Sequence, residues 1–234
     1  MAASELNAGV ALIVPALDEA QTIGDVVRAV PRSVVDEVIV VDGGSTDGTA
    51  VAAQAAGARV IRARRSGYGA ACLAGVRATE RPVVAFIDGD GSDDPAEIPR
   101  LVAPILAGDQ DFVIGSRARG AREKGSMGVH QLIAGRIAGL LLRALYGVRY
   151  TDMCPLRAIR RDALHRLGMR ERTYGWNLEM QMRAARAGLR ILELPVRHRN
   201  RAGGASKVAG SLKGSVKASW QIASTFFRVA NEMR

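Results

Sequence analysis

Aromatic residues make up only 4% of this 234-residue chain, and their scarcity removes one reading of its charge. Lys and Arg number 33 against 23 Asp and Glu, a net charge of +10. Proteins that hold single-stranded nucleic acid pair such basic grooves with stacking aromatics. Here the basic residues are not interleaved with aromatics and no nucleic-acid-binding motif is present, so nucleic acid is not the expected partner. Cysteine is scarce too: Cys72 and Cys154 are expected as free thiols of a cytosolic protein rather than as a disulfide framework. Long apolar runs are absent. The best candidate, around Leu132–Leu145, is cut by Arg136 and Arg143 and falls short of the roughly 18 apolar residues of a membrane span. The N-terminus lacks the basic start and apolar core of a secretory signal. Any membrane contact is therefore expected to be peripheral, at the inner face.

What remains is a chain with 48% apolar residues, enough for one large domain with a sizeable core. The positive charge attracts phosphorylated substrates and anionic headgroups. Much of it falls after Arg117, whereas the main acidic motifs lie before it. The split suggests an acidic, metal-binding half and a basic, acceptor-facing half.

Short β-branched strands alternate with helical stretches. Val10–Val14 reads as a strand stopped by Pro15, and Ala-Leu-Asp-Glu19 follows. Thr22 opens an amphipathic segment to Val30. Val38–Val41 is a second strand, followed at once by Asp42-Gly-Gly-Ser-Thr-Asp47-Gly-Thr49 and a helix over Ala50–Ala56. Arg59–Ile61 is a third. This alternation predicts a parallel sheet covered on both faces. Because each acidic or glycine-rich cluster comes just after a strand, all are expected on one sheet edge, where ligands bind in open α/β sheets.

The centre of that pattern is Pro82-Val-Val-Ala-Phe-Ile-Asp88-Gly-Asp90-Gly-Ser-Asp-Asp-Pro95. An apolar strand ends in two carboxylates one residue apart, and a helix follows from about Pro95 to Leu106. Mg²⁺ and Mn²⁺ prefer oxygen ligands, and Mg²⁺ commonly takes one or two carboxylates plus substrate phosphates. Asp88 and Asp90 are placed to hold such a cation; the plainer alternative is an Asp-rich turn that caps the next helix. Arg64-Arg65-Ser-Gly67-Tyr-Gly69 opens another helix and suits either a phosphate or a tight turn. Phe112–Ser116 delivers Arg117 to the same edge, and Ala118–Gly128 reads as a mobile loop.

His130–Tyr146 reads as a helix whose Leu132, Ile133, Ile137, Leu140, Leu141 and Leu145 form an apolar stripe, which ordinarily faces the core. Asp152–Arg157 is a turn before a strand, Asn177–Ala187 a helix carrying Glu179, and Ile191–Val196 the final strand. Arg197, Arg199, Arg201 and Lys207 then flank a glycine pair, as an anion clamp or as a solvated basic loop. Val208–Met233 is a basic amphipathic helix, suited to a membrane surface or to packing across the body or a second subunit.

Taken together these clusters resemble the inverting family-2 nucleotide-sugar glycosyltransferases, nearest the dolichyl- and polyprenyl-phosphate mannosyl- and glucosyltransferases. The resemblance spans about Leu12 to Lys207 and runs through Val14-Pro-Ala-Leu-Asp-Glu19, Val41–Thr49, Gly67-Tyr-Gly-Ala-Ala71, Asp88-Gly-Asp90, Gly115-Ser-Arg117, Asp152–Arg157, Glu179-Met180 and Arg201-Ala-Gly-Gly-Ala-Ser206-Lys207. It implies an α/β fold: a single Rossmann-like GT-A domain over residues 1–207, its sheet mostly parallel, with the amphipathic helix of 208–234 appended. It further implies that Pro15, Leu17, Glu19 and Asp42 line a nucleoside pocket and that Asp88 contacts ribose, phosphate and Mg²⁺ or Mn²⁺. Asp90 becomes the principal metal ligand, and Arg117, Arg199, Arg201, Ser206 and Lys207 face phosphates. The chain departs from the pattern at Gly43, where a second aspartate is common, and at Ser92, where a metal-binding glutamine often stands. His130-Gln131 replaces a basic pair that would hold the acceptor.

The acceptor follows from acid–base chemistry. A sugar hydroxyl must lose its proton as it attacks, which calls for a general base. Where many family members carry an aspartate after the glutamate, this chain has Met180. A phosphomonoester is already anionic, its second pKa being about 6, and needs only cations to hold it. The expectation is metal-dependent, inverting transfer of a hexose from a UDP- or GDP-sugar to a polyprenyl phosphate met at the bilayer surface, with a homo-oligomer or membrane-protein partner left open. The alternatives are a soluble small-molecule acceptor and a sugar-nucleotide-binding module without turnover.

Overall fold

The structure, a computed structural model, describes residues 9–63, 67–126, 128–203 and 212–232, without the side chains of 129–134 and 212–219. Seven strands form one sheet: β1 (Val10–Ala16), β2 (Glu37–Asp42), β3 (Arg59–Arg62), β4 (Val83–Phe86), β5 (Phe112–Ser116), β6 (Arg157–Arg160) and β7 (Ile191–Pro195), in the order β3-β2-β1-β4-β6-β5-β7. β1 to β4 are mutually parallel, β6 runs antiparallel to its neighbours β4 and β5, and β7 pairs parallel with β5. Successive strand residues face opposite sides, so the unbroken burial of β4 and β5 means that both faces are covered. Val, Ile and Leu dominate these runs and supply the core.

The reversed β6 is what gathers the site. Every other strand points its carboxyl end to one edge, and β6 begins there, so the turn 152–156 joins the segments that follow β1, β2, β4, β5 and β7.

The helices are α1 (Ile23–Arg28), α2 (Thr49–Ala55), α3 (Tyr68–Arg77), α4 (Ile98–Leu106, entered through a 3-10 turn at Pro95–Glu97), α5 (Val129–Tyr146), α6 (Arg161–Leu167), α7 (Trp176–Arg186) and α8 (Leu212–Glu232). Sequence patterning finds all but α6, whose seven residues are too few to show a helical period. The start of α3 shows what its glycines do. A Cβ on Gly67 would lie 2.6 Å from the carbonyl oxygen of Arg172, and one on Gly69 2.6 Å from that of Glu171. Gly67 has φ +95°, and the Ala70 amide donates to the Arg172 carbonyl at 3.0 Å. These glycines let two backbones touch, which is the tight-turn reading; Arg64 and Arg65 lie outside the described residues.

Two elements correct or narrow the expectations. The apolar stripe of α5 does not face the core: Ile137, Leu140, Leu141 and Leu145 are 53%, 65%, 42% and 53% exposed. Its inward face is instead Gly135, Gly139 and Leu142, with the two glycines set directly against the Tyr150–Asp152 backbone. Close approach by small residues outcompetes burial of the leucines, because larger side chains would push the helix off the turn that leads into β6. Leu132 and Ile133 fall among the side chains left undescribed.

The tail helix, over its described length, packs across the body. Val229 and Thr225 are buried, and Ile222, Phe226 and Ala230 rest against the core. Thr225 Oγ1 donates to Glu171 at 2.9 Å, Arg228 to the same carboxylate at 2.8 Å, and Arg183 to Glu232 at 2.7 Å. Burial raises the Glu171 carboxyl, but hydrogen bonds from Thr173, Thr225 and Arg228 outweigh it and bring the pKa down to about 2.

Candidate active site

Four carboxylates crowd the end of β4, and three of them are already engaged. Asp90 Oδ1 accepts from the Ser92 amide at 2.9 Å and its hydroxyl at 2.7 Å, while Oδ2 accepts from Arg201 at 2.8 Å. Asp93 is buried against His198, Oδ1 to Nδ1 2.9 Å. Asp94 caps the turn at Ala96 and pairs with Arg199 at 2.9 Å. Asp88 differs in having no ionic partner among the described residues; its Oδ1 is buried without a hydrogen-bond partner, as is Asp93 Oδ2. Burial first, then the charges of Asp90 and Asp93, push its carboxyl up to about 8, with Arg117 opposing them.

Arg117, at the end of β5, forms a bidentate pair with Asp152: Nε to Oδ2 and Nη2 to Oδ1 are both 2.8 Å, and its amide also reaches Oδ2 at 2.8 Å. Burial pushes Asp152 up, yet these bonds and the guanidinium charge hold it below the usual carboxylate range. Pairing with Asp152 likewise keeps Arg117 charged although burial opposes it. Asp152 sits on the turn into β6, so the antiparallel strand supplies the partner that fixes Arg117. The sequence marks this turn as part of the family resemblance, and that position is the one local signal for Asp152.

On the other side of β4, Pro15 and Leu17 are half-buried at the end of β1 and Asp42 is buried at the end of β2, with Ala16 and Asp42 in register. Asp42 Oδ1 accepts from the Ser45 amide at 2.9 Å, closing the glycine-containing turn. The Glu19 amide donates to Thr49 Oγ1 at 2.8 Å, and its carboxylate meets Arg201. A Cβ on Gly43 would make ordinary contact with Ala16 and Leu17, so the departure at Gly43 is not forced by space.

The segment after β7 stitches these parts together. Backbone bonds run from His198 to Ala121 at 3.0 Å, from Arg199 to Ser92 at 2.8 Å and from Ala202 to Asp90 at 3.3 Å. The Glu123 amide donates to the His198 carbonyl at 2.9 Å, so the loop expected to be mobile is tied to this segment there. Arg197, Arg199 and Arg201 all meet carboxylates, at Glu97, Asp94 and Asp90 with Glu19. Ser206 and Lys207 lie outside the described residues, as do the side chains of His130 and Gln131. The pairs Asp93–His198 and Asp94–Arg199 went unread in the sequence, because contacts about 105 residues apart leave no local pattern.

Glu179 points elsewhere. It is fully buried and accepts from the amides of Arg170 and Glu171 at 3.0 and 2.7 Å and from Arg183 at 2.9 Å, holding the turn before α7. Met180 is buried, its sulfur 3.9 Å from Arg157.

Among the described residues no three His, Cys, Asp or Glu side chains converge to enclose a metal on their own. The donor set fits a hard cation that takes its remaining oxygens from a ligand: Asp88 offers an unpartnered buried oxygen, and Asp90 already holds a guanidinium charge.

Known proteins carry the same pattern. The model of the family described as "Glycosyl transferase family 2" matches residues 11–168. An uncharacterized glycosyltransferase of Mycobacterium tuberculosis is 40% identical over 211 residues, covering 88% of this chain and 93% of its own length. The undecaprenyl-phosphate mannosyltransferase of Micrococcus luteus is 32% identical, over 86% of this chain and 88% of its own. Among solved structures, glucosyl-3-phosphoglycerate synthase from Mycobacterium tuberculosis, in complex with Mn²⁺, UDP-glucose and phosphoglyceric acid, superposes with a TM-score of 0.72 at 27% identity. That match covers 95% of this chain and 80% of the other.

Proposed function

The chain belongs to glycosyl transferase family 2 and is a nucleotide-sugar glycosyltransferase of GT-A fold, and from that membership we propose that it moves a hexose from a UDP- or GDP-sugar to a polyprenyl phosphate at a membrane surface. The observation that carries the acceptor is the absence of a placed base. Met180 stands where a base is wanted, and Asp90, Asp93, Asp94 and Asp152 are each held by a cationic or histidine partner. Of the carboxylates named here only Asp88 lacks such a partner among the described residues, and this reading gives Asp88 to the donor's metal. A phosphate acceptor arrives already ionised.

In this reading Asp88 and Asp90 hold Mg²⁺ or Mn²⁺, which supplies Lewis-acid neutralisation of the departing nucleoside diphosphate. Pro15, Leu17, Glu19 and Asp42 border the nucleoside, and Ser92 keeps Asp90 oriented through its two hydrogen bonds. Arg117, fixed by Asp152, faces the reacting phosphates. Arg199 and Arg201, with Ser206 and Lys207 beyond, exchange their carboxylate partners for phosphate oxygens, and His130 and Gln131 complete the acceptor side. Cations held at the reaction edge provide positioning and charge stabilisation.

A second reading, a soluble phosphorylated acceptor, draws support from the synthase structure solved with phosphoglyceric acid. No helix among the described residues is long and apolar enough to cross a membrane, so a lipid acceptor would be met at the surface. The test is incubation with UDP- and GDP-sugars and Mn²⁺ or Mg²⁺, with a short polyprenyl phosphate or phosphoglycerate, read by mass spectrometry. A glycosyl-phospho-isoprenoid carries the proposal. A glycosylated soluble acid, with the lipid untouched, overturns it.

A further inference from the structure

The outward leucines of α5 border an open cavity of about 540 Å³ lined by Arg119, Arg122, Arg136, Arg143 and Arg149. We propose that this face is a docking surface for an anionic lipid bilayer: the arginines take headgroup phosphates, and Ile137, Leu140, Leu141 and Leu145 enter the acyl boundary.

The geometry of α5 sets the two chemistries side by side. Ile137, Leu140, Leu141 and Leu145 are spaced 3, 4 and 8 residues apart and share one face. Arg136 and Arg143, seven apart, run along its border, and Arg136, Gly139, Leu140 and Arg143 also line the cavity. Of the five arginines only Arg119 has a carboxylate close by, Glu193 at 3.6 Å; among the described residues none lies within 4 Å of the other four. Elsewhere arginines at this end of the molecule are paired, as Arg117, Arg199 and Arg201 show. An unpaired basic groove beside an exposed apolar stripe is the composition of a helix that lies in a membrane interface.

A second copy of the chain fits this face less well. A two-fold contact would set the patch against itself and bring unpaired arginines together. The cavity also reaches the reaction edge: Ala118 and Thr151, on its wall, are the chain neighbours of Arg117 and Asp152. A bilayer seated on α5 therefore lies next to the site. This surface is distinct from the tail helix, whose inner side is spent on α7.

The proposal stands whatever the acceptor, and its test uses neither donor nor acceptor. Full-length protein is floated with vesicles of pure phosphatidylcholine and with vesicles containing phosphatidylglycerol, and its mass in solution is measured alongside. Binding to the anionic vesicles is expected to exceed that to the neutral ones at least tenfold, and to fall in high salt. Arg136→Gln and Arg143→Gln should each weaken it about fivefold, and Leu140→Asn with Leu141→Asn about tenfold. All four side chains are exposed, so unchanged melting temperatures are expected. Each of these results overturns the proposal: no flotation with anionic vesicles, flotation lost by Trp220→Ser and Phe227→Ser but not by the α5 variants, or a dimer that the α5 variants dissociate. Binding of inorganic phosphate in the groove without flotation also overturns it.

Discussion

The guanidinium of Arg201 lies 2.8 Å from Asp90 Oδ2, 111 residues away in the chain, and its other nitrogen reaches Glu19. One cation thus neutralises both the carboxylate proposed to bind metal and one proposed to border the nucleoside. With Asp90 as the proposed metal ligand, the metal would compete with Arg201 for it. Arg201→Ala is expected to tighten Mn²⁺ binding in the absence of nucleotide by about fivefold, the weight of a partly buried ion pair of about 1 kcal/mol. Turnover should fall, because the phosphates lose a cation. Calorimetric titration with Mn²⁺ and steady-state rates separate the two effects; weaker metal binding in the variant would contradict the competition.

Asp90→Ala should reduce turnover about a thousandfold while the melting temperature moves by only a few degrees. The side chain is partly open to solvent, and its removal relieves the like charges on Asp88. Retained activity would dismiss Asp90 as a metal ligand.

The raised carboxyl of Asp88 makes two pH effects, and their sign is fixed. Its ordinary value is 3.8 and its folded value about 8, so between these the folded protein holds a proton that the unfolded chain releases. Folding stability contributed by this group therefore falls as pH rises from about 4 to about 8 and then levels. A divalent cation must displace the same proton, so Mn²⁺ affinity should climb with pH up to about 8. Titrations at pH 6.5 and 8.5 in buffers of different ionisation enthalpy would detect the larger proton release in the first. Asp88→Asn should abolish this slope.

Gly69→Ala tests packing at the start of α3. The added carbon meets the Glu171 carbonyl at 2.6 Å, so a loss of about 2 kcal/mol or more is expected, read as a lowered melting temperature. Nucleotide affinity, measured where the variant is folded, should stay within twofold. A large affinity loss with unchanged stability would restore the phosphate role for this turn.

Arg228→Ala removes the contacts to Glu171 and Glu232 that hold α8 on the body. A cost of about 1–2 kcal/mol is expected, largest near neutral pH. Because Glu171 is held at about 2 against an ordinary 4.5, the stability it contributes is present above 4.5 and fades as pH drops through that interval. Denaturant melts at pH 3 and pH 7 should show the variant and the parent converging in acid.

How much of this was legible without a structure differs by element. β2, β4 and β5 announce themselves as runs of Val and Ile that stop at or next to Asp42, Asp88 and Arg117, because a strand buried on both faces needs such residues and a ligand edge needs polar stops. β1 does too, but it runs through Pro15, where the sequence predicts a stop, and pairs with β2 as far as Ala16. The pair Asp88 and Asp90 was readable for the same reason, as a local pattern, whereas Met180 drew notice only through the family resemblance. The partners were not. That β6 runs backwards and presents Asp152 to Arg117 depends on how strands pair, and Arg201 finds Asp90 only because β7 closes onto β5. The stripe of α5 marks the limit. Its periodicity correctly says helix, but which face is buried was decided by Gly135 and Gly139 closing on the Tyr150–Asp152 backbone, a contact between segments that sequence spacing does not encode.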